Sequence, residues 1–362
     1  MSIPKRVLSI GIRAVSRHHS RSMTASPPLL KVLHVGVANR GRWPLVHATP
    51  AAGFAPHALC DPDPAALAAA RELTGLPEEA CFPSLDEALA RSGADCAIIC
   101  APTRHHVPMT IRAVEAGLAV LVEKGMAPDW ASAQALAAHV RARNAKVAVA
   151  QNYRYNPVEQ AIRRALRDPA SPVGPGRVHQ VSYSQQRVRP HPRTLDYPFA
   201  SVWDMSCHHF DNLLDWLGPM HSMTAHSWRA EWSAYTHDAN TAAQIVFASG
   251  ARVHYLHTHD AARATLDIEL HGERGALFFR DDVLSFSERP CEQFGSRPTV
   301  TVEPGADHGL ADLLRDFHAY ATGGPEPGIS VRHNLETMAA CELMARSIRE
   351  GRTVLREELD QS

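Results

Sequence analysis

The stretch Lys31–Gly41, KVLHVGVANRG, decides how the first part of the chain is read. An apolar run ends in a turn that puts Gly36, Ala38 and Gly41 at the three positions of a G-x-G-x-x-G loop, with Asn39 and Arg40 between the last two. Such a loop does without side chains, because a tight turn must bring backbone N–H groups at a helix start against a pyrophosphate. Alanine at the middle position narrows that approach by one methyl. Asp61 follows Gly41 by twenty positions, at the end of the next apolar run, FAPHALC. A carboxylate there accepts from ribose hydroxyls and repels a 2′-phosphate, so the spacing points to a dinucleotide and to NAD, while Arg40 and Arg42 leave room for NADP. The plainer reading of CDPDP is a turn with a helix cap.

Outward from this loop the same cadence continues to about residue 150. DCAIIC, LAVLVE and KVAVA are strand-like, and PAALAAARELTG, SLDEALARSG, HVPMTIRAVEAG and WASAQALAAHVRARN carry apolar residues at helical spacing. Strand and helix in alternation predict crossover units and a parallel sheet covered on both faces. Beyond YRYNPVEQAIRRAL, read as a linking helix, the pattern changes. GRVHQVSYSQQRV, SMTAHSWRA, TAAQIVFAS, ARVHYLHTH, ATLDIELHG and GALFFR alternate and are rich in β-formers, which predicts a mostly antiparallel sheet. CHHFDNLLDWLG interrupts them as a helix, and HGLADLLRDFHAYATG and VRHNLETMAACELMARSIREG close the chain as two more. The fold class is therefore α/β: a nucleotide-type domain over residues 31–150, then an α+β domain over 151–356 that includes the closing helices.

Ligands on open parallel sheets bind beyond the carboxyl ends of the strands. ICAPTRHH and LVEKG end at that edge, which gathers Pro102, Thr103, His106, Glu123 and Lys124. A lysine beside a redox ring donates to a substrate oxygen and stabilises developing alkoxide charge; a solvated Glu-Lys pair at a strand end explains the same residues. In SVWDMSCHHFDNLLDWLG, Asp204 and His208 are four apart, hence on one helix face if the first turn begins by Asp204. An imidazole oriented by a carboxylate suits proton transfer coupled to hydride movement. A capped helix start with a satisfied histidine is the alternative.

Composition narrows the classes. The 362 residues carry a net charge of -1, so no overall field favours nucleic acid or an acidic membrane surface. Seven cysteines, odd in number and without a C-x-x-C pair, read as reduced packing residues. The 22 histidines match no zinc spacing, although His257 and His259 share a strand face, and no metal is expected. Residues 1–30 hold five arginines and lysines and no acid, which fits a disordered or transit-like extension; otherwise the expected compartment is the cytoplasm, with no membrane span.

GVANRG, CDPDP, CAPTRHHVPMTIRAVEAGLAVLVEKGMA, NYRYNP and WDMSCHHFDNLLDWLG together resemble the glucose–fructose oxidoreductase / inositol dehydrogenase / MocA (Gfo/Idh/MocA) family, from about Lys31 to Arg356. The resemblance implies a Rossmann domain with a doubly wound parallel sheet, followed by a C-terminal domain built on a large, open, mostly antiparallel sheet. It implies NAD(P)-linked oxidation or reduction of a sugar or polyol carbon, in a homodimer or homotetramer formed through that sheet. By the motif match His208 is the general acid/base, Asp204 its electrostatic partner and Lys124 the donor to the reacting hydroxyl. Pro102, Thr103 and His106 then line the nicotinamide side, Glu123 lies near the cofactor ribose, and Tyr153 and Arg154 enter the substrate crevice. Gly125 replaces the family proline, and a glycine either costs about 2.5 to 4 kcal/mol for a cis bond or relaxes to trans and re-aims Lys124. Ser206, for a common glycine, is expected to crowd the substrate face. Within the family's spread, an NAD-dependent glycosidase working by transient oxidation and a non-catalytic dinucleotide-binding protein are the alternatives.

Overall fold

The computed structural model describes residues 29–191, 197–289, 300–304 and 309–361. The expected N-terminal extension lies outside the described residues up to residue 28. The described chain forms two compact units, one from 29–155 with 309–338, the other from 156–304 with 339–361.

In the first unit six strands form a sheet: β1 (Leu30–Val35), β2 (Phe54–Cys60), β3 (Cys81–Phe82), β4 (Cys96–Ile99), β5 (Ala119–Val122) and β6 (Val147–Val149). Their order is β3-β2-β1-β4-β5-β6, with every pairing parallel. The order reverses between β1 and β4, which makes the carboxyl ends of those two strands the switch point where ligands bind in such sheets. The helices are α1 (Arg42–His47), α2 (Pro64–Thr74), α3 (Leu85–Arg91), α4 (His106–Glu115) and α5 (Trp130–Ala142). Asp63 and Ser84 cap α2 and α3 by accepting from Ala65 N and Glu87 N, which starts each helix at the residue the pattern marks.

The sequence reading groups both closing helices with the second domain, yet the first of them, α8 (Leu310–Ala321), packs in the first unit. Leu313, Leu314 and Phe317 share a core with Val32, Phe54, Ile98 and Leu121, and the Phe317 ring stacks on Phe54 with centroids 5.9 Å apart. Tyr155 Oη donates to Asp316 Oδ2 at 2.7 Å. A contact between positions this far apart in the chain leaves no local periodicity to read.

The second unit is a nine-stranded sheet ordered β14-β13-β12-β11-β7-β10-β9-β8-β15. Its strands are β7 (Val178–Val188), β8 (Met220–Trp228), β9 (Asn240–Phe247), β10 (Arg252–Thr258), β11 (Asp260–Gly272), β12 (Gly275–Arg280), β13 (Val283–Glu288), β14 (Val300–Val302) and β15 (Val354–Leu355). All neighbours are antiparallel except β7 and β10, which run parallel. With them come α6 (Pro157–Arg167), α7 (Cys207–Leu217) and the second half of α9 (Val331–Glu350). Val181 and Tyr183 on β7, Val253 and Tyr255 on β10, and Ile268 and Leu270 on β11 are buried, while Gln244, Arg252 and His254 on the alternate face are exposed. One face is thus core and the other polar, as period-2 alternation requires. No helix among the described residues is long and apolar enough to cross a membrane.

His34, on β1, is 1 % exposed, and neither ring nitrogen has a hydrogen-bond partner among the described residues. Burial lowers its pKa from 6.5 to about 4. Above pH 6.5 the ring is neutral in both folded and unfolded chain; as pH falls towards 4 the unfolded chain takes up the proton first, so stability declines, by about 3 kcal/mol in the limit. The first unit's urea midpoint is expected to fall less steeply between about pH 7 and pH 4.5 in His34→Leu than in the wild type. Equal slopes would remove His34 from the account of acid lability.

Candidate active site

The glycine loop follows β1 and is shaped for close backbone approach. Gly36 has φ +76°, and a Cβ there would sit 2.8 Å from Ala101 N. A Cβ on Gly41 would overlap the Gly36 carbonyl oxygen. Ala38 is extended, at φ -82°, so its methyl costs nothing in backbone conformation. Asn39 takes φ +45°, a left-handed setting that asparagine tolerates. The following helix is interrupted at its start, a 3-10 turn over Asn39–Gly41 leading into the six residues of α1.

Asp61, 8 % exposed, pins the loop from β2. Its Oδ2 accepts from Val37 N at 2.9 Å and its Oδ1 from Asp63 N at 3.0 Å. Each oxygen keeps a second lone pair for a ribose hydroxyl. A parallel strand order, a loop that only glycine fits at two places, and a carboxylate at the end of β2 together fit a dinucleotide.

Glu123, at the end of β5, is buried and not solvated. It is 3 % exposed, and its Oε1 accepts from Trp43 Nε1 at 2.7 Å and lies 3.0 Å from Arg40 Nε. Its Oε2 accepts from the backbone N–H of Lys124 at 3.1 Å. The carboxylate therefore ties the glycine loop to the lysine turn. Arg40, which sequence reading left as a phosphate-binding candidate, forms an ion pair with Glu123, while Arg42 is exposed.

Lys124 and Gly125 are half-buried, and the peptide between them is cis. His106, the first residue of α4, is 1 % exposed and lies across this turn. Its Nδ1 is 2.7 Å from Gly125 O and its Nε2 is 2.7 Å from Ala101 O. Burial lowers its pKa more than the two carbonyls raise it, so the ring is held towards the neutral form and donates to one carbonyl at a time. The imidazole thus faces backbone, whereas sequence reading expected it to line the nicotinamide side. Pro102 is exposed and Thr103 half-buried at the end of β4. Arg154, 7 % exposed, lies over Gly328 within the first unit; Tyr153 beside it is half-buried. Gln151 was missed by the sequence reading. It follows β6 at the same sheet edge, is 1 % exposed, and neither amide atom has a hydrogen-bond partner among the described residues.

In the second unit Asp204 and His208 straddle a junction. Asp204 lies in a single π-helical turn, Val202–Ser206, and His208 is the second residue of α7. The expected helix start is therefore widened to i→i+5 bonding, a bulge frequent at functional sites. Asp204 Oδ2 is 3.4 Å from Arg189 Nη1, with side chains 22 % and 27 % exposed, while His208 is 3 % exposed. His209 points to the sheet instead. Its Nδ1 donates to Tyr255 Oη at 2.7 Å, Tyr255 donates to Ser206 Oγ at 2.7 Å, and Ser206 reaches Ser201 O at 3.3 Å. Ser206 is fully buried in this chain, so it does not crowd the substrate face as expected. Asp211 is 1 % exposed. Among the described residues no three His, Cys, Asp or Glu side chains group to hold a metal.

Comparison with known proteins gives this geometry a family. Residues 5–151 match the oxidoreductase family model for the NAD-binding Rossmann fold, and residues 196–355 match that family's C-terminal alpha/beta domain. The chain belongs to the Gfo/Idh/MocA oxidoreductases. It is an NAD-binding oxidoreductase. An inositol 2-dehydrogenase of Rhizobium meliloti is 28 % identical over 88 % of this chain and 98 % of its own length. A D-apiose dehydrogenase of Paraburkholderia graminis is 27 % identical over 84 % of this chain and 83 % of its own. In fold the chain resembles an oxidoreductase of Agrobacterium radiobacter solved with NAD+, L-tartaric acid and magnesium, at TM-score 0.79 and 18 % identity, covering 91 % and 99 % of the two chains.

His106 holds the Lys124–Gly125 turn, and a displacement of about 1 Å at a catalytic group is enough to cost roughly 10²-fold. His106→Leu is expected to lower kcat by that order with the NAD+ dissociation constant changed less than about threefold, and His106→Gln, which keeps a donor, to recover part of it. Steady-state kinetics and NAD+ titration check this; parallel losses in kcat and NAD+ affinity would contradict it.

Proposed function

We propose that this oxidoreductase is a dehydrogenase or reductase that moves a hydride between the nicotinamide of NAD and a hydroxyl- or keto-bearing carbon of a sugar, polyol or related cyclic alcohol. The observation that carries this reading is the Glu123 carboxylate, which joins the dinucleotide loop, through Arg40 and Trp43, to the backbone of Lys124. A lysine fixed to the cofactor loop by a buried carboxylate has a place relative to the ring, which a solvated strand-end pair lacks. The names of relatives covering most of the chain, inositol 2-dehydrogenase and D-apiose dehydrogenase, support a polyol or sugar substrate.

Bound NAD supplies the hydride acceptor, or the donor in reverse. Gly36, Ala38, Asn39 and Gly41 receive the pyrophosphate against backbone N–H groups, and Asp61 takes the ribose. The Lys124 ammonium donates to the substrate oxygen as alkoxide charge develops. His208 removes the hydroxyl proton, and Asp204 favours the imidazolium that results. Gln151 offers an amide at the same sheet edge as Lys124, and Pro102 and Thr103, after β4, would line the nicotinamide side. The polar outer face of the nine-stranded sheet supports assembly as a homodimer or homotetramer.

Lys124→Ala is expected to reduce turnover by about 10²–10³-fold and His208→Ala by about 10²–10⁴-fold, with NAD+ binding retained in both. Absorbance of the reduced nicotinamide over a sugar and polyol panel measures it; full turnover in Lys124→Ala would end this assignment of roles. Asp61 sets the cofactor preference by repelling a 2′-phosphate. Asp61→Ser is therefore expected to raise the ratio of kcat/KM for NADP+ over NAD+ by roughly tenfold, about 1.4 kcal/mol. An unchanged ratio would remove Asp61 from cofactor choice.

A further inference from the structure

Gln185 and Arg187 alternate with Tyr183 along β7 and so share the face on which Tyr183 meets His209 of α7, and Arg189 continues the alternation just beyond the strand. On the neighbouring parallel strand β10, His257 stands opposite Gln185, and His259 follows two residues on, its carbonyl accepting from Arg189 N at 3.0 Å. The His257 and His259 rings meet edge to face with centroids 4.8 Å apart. This group is polar and interior. His257 is fully buried, His259 is 1 % exposed and Gln185 7 %. Both nitrogens of each imidazole and Oε1 of Gln185 have no hydrogen-bond partner among the described residues. Buried polar atoms in a native protein are nearly all paired, so five unpaired ones on one patch call for a partner from outside the chain, water or ligand.

The charge of the patch says what kind of molecule. Arg187 Nη1 and Arg189 Nη2 both lie 3.6 Å from the Met205 sulfur, which draws two guanidiniums to one spot. Arg189 meets Asp204 through one nitrogen at 3.4 Å, longer and less complete than the two-pronged pair that arginine forms with a carboxylate. Burial and the charges of Arg187 and Arg189 hold His257 and His259 well below their ordinary pKa, so both are neutral rings able to accept or to donate one proton. The patch thus offers a pair of cationic forks rimmed by neutral donors and acceptors.

We propose that the substrate is a sugar or polyol acid whose anionic group, a carboxylate or a phosphate ester, is held by Arg187 and Arg189, with His257, His259 and Gln185 completing its hydrogen bonds. This rests on reading Asp204 and His208 as the proton-transferring pair, because Arg189 touches Asp204 and so puts the anionic group beside the reacting hydroxyl. It narrows the substrate from neutral polyols to acids and makes Arg187 and Arg189 the residues that set specificity.

The test uses the full-length protein with NAD+ and matched pairs: D-glucuronate with D-glucose, D-gluconate with D-glucitol, and D-glucose 6-phosphate with D-glucose. The wild type is expected to favour the anionic member of at least one pair by about tenfold or more in kcat/KM, and Arg187→Met and Arg189→Met to remove most of that ratio. The uronate and phosphate arms say which anion the site takes. Preference for the neutral member, or an acid-to-neutral ratio unchanged in both variants, overturns the proposal and leaves the oxidoreductase reading intact. If no compound is oxidised, the dehydrogenase reading fails separately, and calorimetry on the same ligands decides the subsite. Acid binding that is lost in Arg187→Met supports it, and no acid binding overturns it.

Discussion

The first unit depends on one buried carboxylate. Glu123 leaves the end of β5 and accepts from Trp43, pairs with Arg40 and caps the N–H of Lys124. A carboxylate at 3 % exposure is costly unless it is paired and hydrogen-bonded, and here the partners belong to the glycine loop (Arg40), to the α1 helix that follows it (Trp43) and to the lysine turn. The pairing therefore couples two segments that are eighty residues apart in the chain. His106 repeats the device from the other side, holding Gly125 O and Ala101 O, so the turn that carries Lys124 is fixed at both flanks. The strand order supplies the place, and these two side chains supply the aim.

The second unit positions Asp204 and His208 by a different route. A π-turn carries Asp204, and α7 begins only after it, while the chain from His209 through Tyr255 and Ser206 to Ser201 fastens that turn to the sheet. His208 and His209 are adjacent and do unlike things, because successive residues of a helix point about a quarter turn apart. Arg187 on β7 and Arg189 just beyond it meet this turn at Met205, beside a polar interior. Apolar residues of similar volume would serve the core better than three histidines kept neutral by burial.

What was legible in the sequence follows from how local each signal is. Gly36, Gly41 and Asp61 were legible because a backbone approach and a strand end impose residue types at fixed spacing. The parallel first sheet and the mostly antiparallel second sheet were legible from strand–helix alternation in one half and from period-2 alternation of β-formers in the other. Short strands such as Cys81–Phe82 and Val354–Leu355 carry too few residues for a period to register. The spacing of Asp204 and His208 was readable, but not the π-turn, since one widened turn leaves the pattern of apolar residues nearly unchanged. The inward pointing of His106 and Ser206, the Arg40–Glu123 pair and the docking of Phe317 on Phe54 are long-range facts. No window of sequence contains both partners, so the backbone contacts of His106 and the burial of Ser206 had no local signal.

The coupling through Glu123 is open to direct measurement by a double-mutant cycle on NAD+ affinity, with Trp43→Phe, Glu123→Gln and the double variant. If the carboxylate joins loop and turn as described, the two losses are non-additive, with an interaction of about 1 to 3 kcal/mol. Losses that add within about 0.5 kcal/mol would mean that the loop and the lysine turn are held independently, and that Glu123 is not the link between them.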